Sequence, residues 1–197
     1  MKKILLLLVL FLLSMTTVFA QPDTSPITEP PQTLEKEYTI AVIQYINTTE
    51  EKQGYIDEVI QTKYTNGFPA KKIKIVPAAE VQIALNNAGY DVSNRVLPEK
   101  DVFVAVAKET KADYVVAMEL SQLITTKHMS FFSIKAETKT KLNYKLYNTG
   151  KDKLTAFQTT GDSENSSAFG GVGYKAPIMD ALSKAMDAAN TKILSNL

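Results

Sequence analysis

The residues from Phe132 to Tyr147 alternate between apolar and polar types with a period of two. That period belongs to a β-strand, in which successive side chains point to opposite faces of a sheet. One face carries Ile134, Ala136, Leu142, Tyr144 and Leu146, and the other carries Lys135, Glu137, Lys139, Lys141 and Lys145. Thr138 and Thr140 interrupt the apolar face. The pattern predicts a long antiparallel strand with one face on the core and one face in water.

A second strong signal lies near the start of the folded region. Tyr38 to Ile46 is rich in β-branched and aromatic residues, and a strand that is apolar on both faces is central and covered by helices. Thr48 and Glu51 have the spacing of a capping box, which predicts that a helix starts there. Asn66 and Gly67 predict where this helix ends.

The middle of the chain continues with shorter elements. Residues 72–75 alternate lysine and isoleucine, which predicts a short edge strand whose lysines prevent pairing with another chain. Helices are predicted from Ala78 to Ala88 and after Pro98. A buried strand is predicted from Tyr114, continuing with more polar residues to about Thr126.

The last third completes the predicted fold. A turn at residues 148–151 leads into a strand from Leu154 to Thr160, and a helix begins near Pro177. The predicted class is α/β (α+β mixed), with a single mixed sheet of about five strands. The element order is β-α-β-α-α-β-β-β-α, with a long antiparallel meander and a C-terminal helix.

The first twenty residues have the composition of an export signal. Lys2 and Lys3 precede an apolar run from Ile4 to Leu13, and Val18 and Ala20 form a small-x-small cleavage site. The apolar run is shorter than the length that a membrane-spanning helix needs. We therefore expect the protein to be exported and released by cleavage.

The composition also predicts how the chain is divided. Residues 1–20 are predicted to be the signal peptide, residues 21–36 a disordered proline-rich tether, and residues 37–197 a single domain. The chain contains no cysteine, so packing must stabilise this domain without disulfides. Because Gln21 cannot be acylated as a cysteine can, no lipid anchor is expected.

Charge and residue types exclude several functions. The 22 basic residues include two in the leader, which leaves 20 basic against 21 acidic residues, a net charge of −1 after cleavage. Nucleic-acid binding requires a concentrated basic surface, so no nucleic-acid partner is expected. His128 is the only histidine, and it falls near a strand tip, a poor place for a catalytic base. No catalytic residue, metal or cofactor is predicted.

The candidate contact residues cluster at two places. Met129, Phe131 and Phe132, next to Lys127 and His128, lie at the expected tip between two strands. Exposed aromatic side chains are unfavourable unless something covers them. Either another element of the chain folds over them, which we favour, or they meet a partner or a membrane surface.

The second place is the loop before the last helix, from Phe169 to Tyr174. It includes Gly170 and Gly171, whose backbone amides could hold an anion at the helix start. The loop lacks the lysine and serine that end a P-loop, so we interpret it as a flexible contact loop.

Several segments together resemble one bacterial envelope family, that of the curli-secretion channel lipoprotein CsgG and the amino-terminal domain of TolB. The matching segments are Ile40–Ile43, Ala112–Val116, Leu142–Tyr147, Asn148–Gly150 and the alanine-rich helix Ala181–Ala189. The resemblance covers nearly all of the chain after the tether.

The resemblance implies a non-enzymatic protein that acts through protein contacts in envelope assembly, secretion or transport. It implies envelope proteins or a second copy of the chain as partners, with membrane association as a further expectation. The expected location is the periplasm, with the outer membrane or the exterior as alternatives. Two other functions stay open, an outer-membrane pore subunit and a small extracytoplasmic hydrolase.

Overall fold

The computed structural model of the protein describes residues 36–167 and 173–197. The predicted signal peptide, almost all of the predicted tether, and Gly170 and Gly171 lie outside these residues, so those predictions stay predictions. Among the described residues, six strands form one mixed sheet: β1 Tyr38–Val42, β2 Ile46–Asn47, β3 Ile73–Ile75, β4 Tyr114–Met129, β5 Ile134–Asn148 and β6 Lys153–Ser167. Four α-helices accompany them: α1 Gly54–Asn66, α2 Ala78–Asn87, α3 Lys100–Thr110 and α4 Lys175–Leu194.

The sheet has the order β3-β1-β4-β5-β6, and β2 pairs separately with β4. β1 runs parallel to β3 and β4, because helices connect these strands. β4, β5 and β6 are antiparallel and joined by hairpins. The predicted mixed sheet with an antiparallel meander is confirmed. The strand predicted as continuous from Tyr38 to Ile46 is interrupted after Val42, and Ile46 begins β2, a strand that the predicted order lacks.

Helices cover both faces of the sheet because its central strands are apolar on both faces. On one face, α1 and α4 pack over residues such as Ile40, Val116 and Leu142. On the opposite face, α2 and α3 pack over residues such as Ala41 and Val115. Successive residues of β1 and β4 therefore alternate between two separate apolar clusters.

Two predicted boundaries are wrong. α1 begins at Gly54, because Thr48 extends the pairing with β4: its backbone N–H donates to the Leu120 carbonyl at 3.2 Å. β6 does not end at Thr160 but continues to Ser167. Gly161 does not break this strand; it lies where the α4 backbone leaves no room for a Cβ atom.

Candidate protein-contact surface at the β4–β5 hairpin

The outer ends of β4 and β5 form a hairpin whose last cross-strand pair is Met129 with Ile134. We call residues Lys127 to Phe132 the hairpin tip. The four-residue loop is closed by the serines at its two ends. The Ser130 N–H donates to the Ser133 carbonyl at 2.8 Å, and the two hydroxyl oxygens lie 2.9 Å apart. The Ser133 N–H also donates to the Ser130 hydroxyl at 3.1 Å, so the loop is braced from both sides.

With the loop closed by these serine bonds, the two residues between the serines point outward. Phe131 is 101% exposed and Phe132 is 84% exposed, with their ring centroids 6.3 Å apart. Met129 is 77% exposed. No residue in the described part of the chain covers these side chains, so the internal cover that we favoured from the sequence is not found there.

A bulge in β4 decides which tip residues face which side. The register with β5 shifts at Ser121, between Leu120 and Gln122. One extra residue moves every following side chain to the opposite face of the sheet. Lys127 therefore lies on the α4 side, and His128 lies on the opposite, open face.

On the α4 side, Lys127 fixes the tip to the start of α4. Its ammonium lies 4.3 Å from the centroid of the Tyr174 ring, within the range of a cation–π interaction. Below this contact, the Thr125 and Thr138 hydroxyl oxygens are 2.8 Å apart. Thr138, one of the two threonines that interrupt the apolar face of β5, is buried. The threonine contact joins the two strands of the hairpin, and the Lys127 contact joins the hairpin to the start of α4.

The open face of the hairpin carries a small ionic network. The Lys135 ammonium lies 2.6 Å from Glu137 and 2.8 Å from Glu164. Glu137 and Glu164 are directly opposite each other in the register of β5 and β6. The Lys135 ammonium bonds to both carboxylates and offsets the repulsion between them. The hydrogen bond to Glu137 is the main cause that raises the pKa of Lys135, and the same bond lowers the pKa of Glu137. His128 joins the edge of this network, with its Nε2 atom 3.9 Å from Glu137.

The structure thus brings together Lys127, His128, Met129, Phe131 and Phe132, as predicted from the sequence. It also adds residues that the sequence analysis missed, because β6 extends beside the hairpin where a loop was predicted. The added residues are Asp162, Ser163, Glu164, Asp180 and Lys184, which line an open cavity of about 490 Å³ with Glu137, Thr138 and Lys139. The alternation of Asp162 and Glu164 with the smaller Gly161 and Ser163 could have signalled this strand.

No group of three His, Asp or Glu side chains within residues 36–167 and 173–197 is arranged to hold a metal ion. Within the same residues, no helix is long and apolar enough to cross a membrane.

Comparisons with known proteins found no matching family model and no matching curated protein. Solved structures match at low identity. Lipoprotein GNA1162 from Neisseria meningitidis matches with a TM-score of 0.46 and 11% identity, over 81% of this chain and 99% of that chain. The LpoB C-terminal domain from Escherichia coli matches with a TM-score of 0.40 and 12% identity, over 66% of this chain and 84% of that chain. The PelC dodecamer from Paraburkholderia phytofirmans matches with a TM-score of 0.41 and 14% identity, over 77% and 86% respectively.

These matches do not extend to function, but they correct the predicted family. They are to a Neisseria lipoprotein, LpoB and PelC, and not to CsgG or to the amino-terminal domain of TolB. The predicted family is therefore wrong. The segments that suggested it, buried strands, a turn and an alanine-rich helix, are needed by any mixed sheet with helices on both faces.

Proposed function

We propose that this chain is a non-enzymatic, exported envelope protein that acts by binding other proteins through the hairpin tip. One observation carries the proposal. Three large apolar side chains, Met129, Phe131 and Phe132, are exposed to solvent at a turn that the bonds between Ser130 and Ser133 hold in place. Exposed apolar groups that are clustered, rather than scattered singly, are typical of interaction sites.

The energetics of the tip favour binding. Full burial of one phenylalanine side chain contributes about 1.5–3 kcal/mol, and aromatic residues dominate the binding energy of many interfaces. Binding also costs entropy when flexible groups are ordered. The bonds between Ser130 and Ser133 order this turn before a partner arrives, which reduces that cost.

Two further features support the proposal. His128 is exposed and contacts only the edge of an ionic network, whereas a catalytic base needs a nucleophile or substrate group within hydrogen-bond reach. The predicted signal peptide at residues 1–20 supports export, and the proposal puts the protein in the periplasm. Envelope proteins or a second copy of this chain are the proposed partners.

The test replaces both rings, as Phe131→Ser with Phe132→Ser. Because both side chains are exposed, we expect the melting temperature to change by less than about 2 °C, since exposed sites contribute little to stability. A photoreactive amino acid at position 129 then reports association in cells. We expect discrete protein adducts with the wild-type rings and at least a ten-fold loss of those adducts in the double variant.

The matched control is Ile83→Ser with Val96→Ser, which removes two exposed apolar side chains elsewhere. The control should keep the adducts at position 129. Adducts that survive the loss of both phenylalanines would contradict the proposal. A large fall in the melting temperature would instead show that the rings belong to the core.

A lipid surface is the second candidate, because the cationic Lys127 lies on the strand that leads into the exposed rings. Aromatic rings backed by cationic side chains are suited to the interface of an anionic membrane. Flotation with phosphatidylglycerol vesicles separates the two candidates. Binding that depends on Phe131 and Phe132, without protein adducts in cells, would favour the membrane.

A further inference from the structure

The last strand of the sheet, β6, pairs with β5 on one side, and no other strand of residues 36–167 and 173–197 lies on its second side. Its register with β5 is continuous from Lys153 to Ser167, so the backbone groups of alternate residues point away from β5 throughout. The pair Asn148 and Lys153 closes the hairpin, which directs the even-numbered residues of β6 outward. Unpaired strand edges are templates for pairing with another chain.

Two lysines of α4 occupy the middle part of this edge. The Lys192 ammonium donates to the Gln158 carbonyl at 2.9 Å, and the Lys184 ammonium donates to the Asp162 carbonyl at 3.1 Å. Both carbonyls belong to outward-facing, even-numbered residues, as the register requires. The lysine side chains therefore block an incoming strand along this stretch.

The edge is open on both sides of these two lysines. No described residue bonds to the outward backbone groups of Leu154 and Ala156 at the inner end, but only the outer end adjoins the hairpin tip. Glu164 and Ser166 are the next residues with outward backbone groups, and no described residue donates to or accepts from those groups. Two such residues offer two donors and two acceptors, enough for an extended segment of about four to five residues. This stretch adjoins the hairpin tip, because Ser166 pairs with Lys135 and Ser167 pairs with Ile134.

The charge beside this open edge is acidic. The cavity of about 490 Å³ at this edge is lined by four carboxylates and two ammonium groups: Glu137, Asp162, Glu164 and Asp180, with Lys139 and Lys184. Lys184 already pairs with Asp180 at 2.8 Å. Lys135 also bonds to both Glu137 and Glu164, so the carboxylates exceed the neighbouring ammonium groups by one negative charge, which a basic side chain would complement.

We propose that residues 163–167 of β6 are a strand-addition site for an extended, basic segment of a partner protein. This inference rests on the proposed function, and it assigns the chemistry of the partner. The backbone of Glu164 and Ser166 would supply the ladder hydrogen bonds, and an arginine or lysine would enter the acidic cavity. A second copy of β6 fits poorly, because antiparallel pairing centred on Glu164 would place two carboxylates opposite each other.

The test uses two synthetic eight-residue peptides that alternate valine with either arginine or glutamate. Binding to the ¹⁵N-labelled protein is followed by NMR and by hydrogen exchange. We expect only the arginine peptide to bind, with slower exchange at the Glu164 and Ser166 amides. Equal binding of both peptides, or shifts located away from β6, would overturn the inference.

Ser166→Pro removes one outward N–H and leaves the ladder with β5 intact, since proline is tolerated on an edge when its nitrogen faces solvent. We expect at least a ten-fold weaker affinity for the arginine peptide, while Ser166→Ala keeps it. Equal affinity of the two variants would overturn the inference. If Ser166→Pro unfolds, Glu164→Lys serves instead and should weaken the arginine peptide while strengthening the glutamate peptide.

Failure here can be told apart from failure of the proposed function. The variant with Phe131→Ser and Phe132→Ser should still bind the arginine peptide, because the open edge is unchanged. In this variant, loss of adducts at position 129 with normal peptide binding would show that the two phenylalanines act at the tip and that the strand-addition site does not depend on them. Normal adducts without peptide binding would leave the tip as the contact surface and remove the strand-addition site.

Discussion

At the scale of single residues, Gly161 shows how one missing side chain sets the packing of a helix. A Cβ atom at this position would lie 1.9 Å from the Ala181 carbonyl oxygen and 2.8 Å from the Ala185 nitrogen. Both atoms belong to the α4 backbone, which cannot move as a flexible side chain could. We expect Gly161→Ala to lower the free energy of unfolding by about 1–3 kcal/mol, as measured by urea denaturation.

The control for this prediction is Gly54→Ala at the start of α1. A Cβ atom at Gly54 meets nothing within 4 Å, and alanine favours the helix. This variant should be as stable as the wild type or slightly more stable. Equal destabilisation by the two alanine substitutions would mean that close packing at Gly161 is not the cause.

At the scale of elements, the lysines of α4 protect β6 from pairing. Replacing Lys184 and Lys192 with methionine keeps the length of both side chains and removes the ammonium groups that bond to β6. The open edge would then be continuous from Leu154 to Ser166. We expect concentration-dependent self-association of this double variant, detected by sedimentation velocity, because long open edges pair with one another.

The control is Lys108→Met, which removes an exposed lysine on α3, in the opposite helical layer. It should sediment like the wild type. Self-association of this control to the same extent would attribute the effect to lost charge rather than to the edge of β6. Unchanged sedimentation of the double variant would show that the two hydrogen bonds do not protect the strand.

The elements differ in how far the sequence could predict them. β5 was predicted because its two faces differ in polarity along nearly its whole length. The outer part of β6 was missed because Gly161 and the serines after it are also typical loop residues. The start of α1 was misplaced because Thr48 and Glu51 have capping-box spacing, yet the Thr48 hydroxyl donates to the Leu120 carbonyl at 3.1 Å.

The candidate site was predictable only in part. The apolar residues of the hairpin tip could be located because they lie between two alternating segments. Their exposure could not, since it depends on which elements reach them in three dimensions. The roles of Lys184 and Lys192 were also hidden, because a lysine on the polar face of a helix is normally solvated, and only the position of β6 gives it a carbonyl to bond.

At the scale of the whole molecule, one sheet is shared by two apolar clusters, and the described residues belong to one compact unit. Ile43 is buried in the cluster under α2 and α3, and Ile193 is buried in the cluster under α1 and α4. Loss of either cluster would expose a face of the same strands. We therefore expect both clusters to unfold together.

The test is Ile43→Val, Ile193→Val and the double variant. Each single change should lower the free energy of unfolding by about 0.5–1.5 kcal/mol, since it removes one buried methylene. The two effects should add within about 0.5 kcal/mol, because the sheet separates the sites. Circular dichroism and tyrosine fluorescence should give the same urea midpoint for every variant. Different midpoints for the two probes would show that the two layers unfold independently, and the shared sheet would then not couple them.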